Sequence, residues 1–160
     1  MATTELREAI NVGSLKIGVK HGGLGLDYLC TGRVLRVLAS ADFPFAFSLA
    51  VHSAVEGSIS EYGSPSQLDR YIRRIQTGEL ILSVGVTEPS AGTDAAAMQT
   101  RATRIQGGWR INGSKAWITN AASADPFLLY AQTDVDGAPV GIAAFFGRER
   151  VSRSLDHRRL

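Results

Sequence analysis

Apolar positions in the first half of the chain recur at helical spacing. Leu26, Leu29, Cys30, Val34, Leu35 and Leu38 form one stripe, with Asp27 placed to open it. A second stretch runs from about Pro44 to Tyr62, with Asp42 as a candidate cap. It is apolar nearly all round through Val55, which predicts burial between other elements. The third helix carries the fullest set of signals. Ser64 supplies a capping hydroxyl, Pro65 the first helical position and Gln67 the third. Leu68, Tyr71, Ile72 and Ile75 follow on one face, and Gly78 ends the run.

After Gly78 the period shortens. Leu80–Val86 is an apolar run of strand length. Thr100–Ile105 alternates, Gly107-Gly108 signals a hairpin, and Trp109–Asn112 is the returning strand. Asn112-Gly113 is a second turn, followed by Lys115–Thr119 as another strand candidate. Phe127–Gln132, a turn at Asp136-Gly137 and Val140–Phe146 complete the series. Helices followed by strands, without β-α alternation, predict an α+β chain. An α-helical domain over residues 1–79 would precede an antiparallel β-domain, an incomplete barrel, over 80–160.

Composition narrows the class. The chain has 160 residues, 44% of them hydrophobic and 20% charged, which is the make-up of a soluble globular protein. A core of that size needs neither disulfides nor metals. Cys30, the only cysteine, reads as a buried, inert thiol and fits a reducing compartment. No apolar run reaches the roughly 18–20 residues of a membrane span. The opening MATTELREAI lacks a basic-then-apolar leader pattern, so a cytoplasmic protein is expected. A net charge of +2 argues against a nucleic-acid partner. That charge is uneven, because five arginines crowd into Arg148–Leu160 as a basic tail.

Several chemistries are disfavoured by spacing. His21, His52 and His157 form no ligand-spaced pair, so no metal site is expected, and His52 reads as a satisfied core histidine. His21-Gly22-Gly23-Leu24-Gly25 lacks the strand and acidic partner of a nucleotide fingerprint. Ser90 has no base beside it and no nucleophile elbow around it. Val84-Gly85-Val86-Thr87-Glu88-Pro89-Ser90-Ala91-Gly92-Thr93-Asp94 is more informative. It leaves a strand for a loop with small residues, hydroxyls and a proline. By composition it is either a polar turn or a cradle for an anionic cofactor.

The order of motifs adds a resemblance. Val-Thr-Glu-Pro-Ser-Ala-Gly-Thr-Asp at 86–94 resembles the signature of acyl-CoA dehydrogenases. Trp109–Lys115 and Trp117-Ile118-Thr119-Asn120 are similar to that family's following segments. Gly22–Leu26, Tyr62-Gly63-Ser64 and Thr77-Gly78-Glu79 fall in family order upstream. The resemblance spans about Val12 to Phe146. It implies FAD as cofactor, held between an N-terminal helical domain, a middle β-domain and a C-terminal helical bundle.

It also implies roles. Val84 and Val86 through their backbone, and Thr87 through its hydroxyl, would meet the pyrimidine side of the flavin. Thr93, where serine is usual, would reach the pyrophosphate and border the acyl-CoA site. Trp117 would lie against the isoalloxazine, Ile118 and Thr119 would line it, and Thr119 would sit near N5. The family function is α,β-dehydrogenation of an acyl-CoA thioester, with an electron-transferring flavoprotein as acceptor and a homo-oligomeric full enzyme. Departures occur at Lys20-His21 and Ala121, and the match thins after Phe146. No bundle follows in this sequence, and none of Glu56, Glu61 or Glu88 matches the family's catalytic glutamate, so no catalytic residue is assigned. A carrier-protein-bound substrate, a flavin monooxygenase of the same architecture, and a non-catalytic remnant or interaction module remain alternatives.

Overall fold

The computed structural model describes residues 14–135 and 138–147. A short 3-10 helix, Val19–His21, precedes three α-helices: α1 Tyr28–Ala41, α2 Phe43–Tyr62 and α3 Pro65–Gln76. The caps are the ones the sequence announces. Asp27 accepts from Cys30 N at 2.7 Å to open α1. Asp42 serves twice: its N–H closes α1 on Leu38 O at 2.9 Å, and its carboxylate opens α2 on Phe45 N at 2.9 Å. Ser64 and Gln67 form a reciprocal capping box at α3. Cys30 departs from expectation in being half-buried, because α1 turns only part of its stripe inward. The Asp27 carboxylate beside it pushes the thiol pKa up.

Five strands follow: β1 Ser83–Gly85, β2 Arg101–Ile105, β3 Gly108–Asn112, β4 Phe127–Val135 and β5 Ala138–Gly147. β4 is the centre. β5 runs antiparallel along one of its edges, and β1 and β2 share the other. Along that shared edge β1 pairs with residues 127–129 and β2 with residues 132–134, both parallel to β4. β2 and β3 form the expected antiparallel hairpin, with Gly107 at φ 80° in its turn.

The sheet is therefore mixed, not purely antiparallel. The reason is the connection after β3: β2 lies between β3 and β4, so residues 113–126 must pass β2 to reach the far side. A crossover of that length permits parallel neighbours. Two strand expectations also change. Only Ser83–Gly85 of the run Leu80–Val86 pairs. Lys115–Thr119 is not a strand, since Trp117 takes φ 57° and breaks any extended path. The turn at Asp136-Gly137 and the basic tail lie outside the described residues.

One core joins helices to sheet. Ile17, Val55, Ile59, Tyr71, Ile72 and Ile75 pack with Leu80, Leu82 and Leu128. Ile81 points the other way, into a cluster with Leu15 and Leu49. Residues 80–82 are thus an extended seam whose alternate side chains face two clusters. Burying each such side chain contributes roughly 1.5–3 kcal/mol. Among the described residues no helix is long and apolar enough to cross a membrane.

Candidate functional site

A hollow of about 170 Å³ opens where three segments meet. Val84, Val86 and Thr87 enter it from β1 and the loop beyond. Ala116, Trp117 and Thr119 come from the connection after β3, and Val51 from α2. Five of the residues expected from the sequence, Val84, Val86, Thr87, Trp117 and Thr119, therefore share one cavity. Thr93 is exposed and outside that lining. Ile118 is half-buried and also outside that lining, with its Cδ1 3.6 Å from where a Cβ on Gly85 would lie. Val51 and Ala116 escaped the sequence reading, because small apolar residues in an apolar helix or a loop carry no chemical signal.

The loop is held from behind by a buried ion pair. Lys115 Nζ lies 2.8 Å from Glu88 Oε1 and also donates to Val86 O at 3.0 Å. Glu88 further accepts from Gln99 N at 2.6 Å and Thr100 N at 2.9 Å. Burial alone would push the Glu88 carboxyl up. The hydrogen bonds from Lys115, Thr100 and Gln99 outweigh it and hold the group at about 2. Ala116 N donates to Thr87 O at 2.9 Å, closing the loop onto the connection. The sequence marked residues 86–94 as a motif but not the fixing role of Glu88. An acid and a lysine 27 residues apart, each inside one of the two motifs, were the available signal.

The other wall is a turn with two left-handed residues, Trp117 at φ 57° and Asn120 at φ 66°. Left-handed backbone is rare for a bulky side chain, and the Trp117 ring is 90% exposed. The Ser83 hydroxyl donates to Thr119 O, and the Asn120 amide reaches Ser48 and Leu82. On the helical side His52 Nδ1 accepts from Leu82 N at 3.0 Å, whereas Nε2, 3.0 Å from Glu56 Oε1, is not aligned for a hydrogen bond, so the expected satisfied core histidine is met at one ring nitrogen only.

Chemically the hollow offers apolar walls, one open indole face and two threonine hydroxyls. That set suits a flat heteroaromatic ring with a polar edge. No titratable side chain lines it. A larger, more open hollow of about 480 Å³ lies between His21 and α3 (Leu68, Asp69, Ile72, Arg73 and Gln76). It gathers none of the expected residues, so the smaller cavity is the candidate. Among the described residues no acidic, histidine or cysteine cluster could hold a metal.

Helices followed by a mixed sheet, with a hollow where the two meet, make this an α+β fold with a candidate binding site at the junction. The chain belongs to the acyl-CoA dehydrogenase family: residues 2–79 match "Acyl-CoA dehydrogenase, N-terminal domain" and residues 83–151 match "Acyl-CoA dehydrogenase, middle domain". It is 32% identical over 136 residues to a mitochondrial isovaleryl-CoA dehydrogenase of Oryza sativa subsp. japonica, covering 84% of this chain and 33% of that protein. It is 38% identical over 149 residues to an L-prolyl-(peptidyl-carrier protein) dehydrogenase of a Serratia species, covering 89% and 39%. A glutaryl-CoA dehydrogenase from Mycobacterium smegmatis, solved in complex with FADH2, superposes with a TM-score of 0.80 at 32% identity, over 91% of this chain and 37% of that one. The chain spans roughly a third of the length of the curated relatives it matches.

Proposed function

We propose that the hollow holds the isoalloxazine of FAD, in an enzyme that dehydrogenates an acyl thioester between its α and β carbons. The observation that carries this reading is the meeting of Val84, Val86, Thr87, Trp117 and Thr119, from two separate motifs, in one cavity. When bound, FAD supplies the hydride acceptor. Val84, Val86 and Val51 exclude water from one face, and the Trp117 ring covers another. The Thr87 and Thr119 hydroxyls orient the polar edge of the ring, with Ile118 packed beneath and Thr93 toward the pyrophosphate and acyl-CoA. The reading divides the chain into a helical domain, 1–79, and a β-domain, 80–160.

The described residues bind and orient; they do not supply the base that takes the α proton. Glu56 and Glu88 are buried and engaged, and Glu61 is exposed at the end of α2. That base, the homo-oligomeric assembly and the electron-transferring flavoprotein that reoxidises the cofactor belong to the complete enzyme. The 38% identity to the prolyl-carrier-protein dehydrogenase favours a carrier-bound acyl group as the second substrate reading. A cytoplasmic location accords with the reducing compartment that the lone cysteine fits, and cell fractionation checks it.

The test is the visible spectrum of the purified chain with excess FAD. A protein-bound flavin band near one equivalent is expected, and its absence would sink the cofactor reading. Turnover of acyl-CoA with an artificial electron acceptor by this chain alone would overturn the statement about the base.

A further inference from the structure

The wall that carries Trp117 and Thr119 is held by a residue outside the hollow. We infer that Asn120 is a positioning residue for the cofactor wall: it clasps the Trp117–Asn120 turn to α2 and to residue 82, and so places the indole ring and the Thr119 hydroxyl. The inference rests on the flavin reading for what the wall holds, though not for the clasp itself.

An asparagine with left-handed backbone commonly bonds its own neighbours in a turn. Here the amide ignores them. Nδ2 donates to Ser48 O at 3.2 Å and to Leu82 O at 3.3 Å, and Oδ1 accepts from the Ser48 hydroxyl. These partners are 72 and 38 residues away in sequence. Left-handed geometry alone would be met by glycine without any of these bonds. The amide therefore serves tertiary placement.

The surroundings converge on the same point. Both backbone polar groups of Leu82 are tied, its N–H to His52 and its carbonyl to Asn120. Ser48, Val51 and His52 lie within about one turn of α2, and they meet the clasp, the hollow and the seam respectively. The Ser83 hydroxyl fixes the Thr119 carbonyl, and Ser123 N and Ala124 N close on Asn120 O at 2.9 and 2.8 Å. Trp117 lies between the Ala116–Thr87 backbone bond on one side and these anchors on the other, and is 90% exposed. So exposed a ring draws little packing from its neighbours, and its disfavoured backbone must be held from elsewhere.

The test uses the full chain with Trp109→Phe, which leaves Trp117 as the only tryptophan. Asn120→Gly keeps the left-handed backbone and deletes the amide. It should raise the FAD dissociation constant at least about tenfold, alter the visible band of the flavin still bound, and lower Trp117 fluorescence anisotropy even without FAD. Ser48→Ala should do the same to a smaller extent, and Ser48→Thr should restore all three readouts. Unchanged anisotropy and unchanged affinity in Asn120→Gly would overturn the proposal. If that variant fails to fold by far-UV circular dichroism, Ser48→Ala decides alone, by the same criterion. If the parent chain takes up no FAD, the flavin reading falls, and anisotropy still judges the clasp.

Discussion

Two buried glutamates stand behind the hollow, and they are equipped very differently. Glu88, next to Thr87 in the loop, receives an ammonium group and two backbone N–H groups within 2.9 Å. Glu56, one turn past His52 in α2, has among the described residues only His52 Nε2 at 3.0 Å, poorly aligned for hydrogen bonding, and Lys16 N at 3.5 Å. Both are fully or nearly fully enclosed. The contrast separates two ways of supporting a site. The loop has no helix to stiffen it, so its shape depends on a charge with both carboxylate oxygens engaged. The helix carries its own backbone bonds, and Glu56 adds little to them.

The largest effect should come from Lys115→Met, which leaves Glu88 buried without its cation. A loss of about 3–5 kcal/mol is expected in urea unfolding. A loss below about 1 kcal/mol would remove the pair from the account of the loop. Acid should act on the same carboxylate. Glu88 is held at about 2, below its ordinary 4.5. Its contribution is therefore complete above pH 4.5 and is lost as pH falls from 4.5 towards about 2. The part due to Glu88 is on the order of 3 kcal/mol. Glu88→Gln should flatten that part of the pH–stability curve, and a curve of unchanged slope would contradict it.

Glu56→Gln sharpens the comparison from the other side. With no well-placed hydrogen bond to disturb, it should cost no more than about 1 kcal/mol. A cost equal to that of Glu88→Gln would erase the distinction drawn between helix and loop. The smallest effect is expected at Trp117→Gly, with opposite signs on two measurements. Relief of the left-handed backbone should offset the lost chain stiffness and change stability by no more than about 1 kcal/mol. FAD retention should fall at the same time. Retained FAD affinity would show that the indole is not part of the cofactor wall.

The same contrast explains what the sequence disclosed. Caps are local, so Asp27, Asp42, Ser64 and Gln67 declared the helices within one residue of their starts. The hairpin at Gly107 was equally local. The parallel pairing of β1 and β2 with β4 was not legible, because it depends on where a 14-residue connection, 113–126, returns the chain. Turn signals also misjudged Lys115–Thr119, where the segment after Asn112-Gly113 read as a strand and the two left-handed residues make a turn. For the site, motif order singled out Val84, Val86, Thr87, Trp117 and Thr119, which the fold brings together. The supports at Ser48, Glu88, Lys115 and Asn120 carry meaning only through partners distant in sequence.

The end-to-end placement of β1 and β2 along one edge of β4 has a bearing on divergence. Residues 86–100 leave that edge and rejoin it, and both ends are fixed by the strand they abandon. Insertions or deletions within this excursion would change neither strand order nor register. A lineage could therefore reshape what the loop recognises while inheriting the same scaffold, provided the acid at 88 and the lysine at 115 are retained to fasten it.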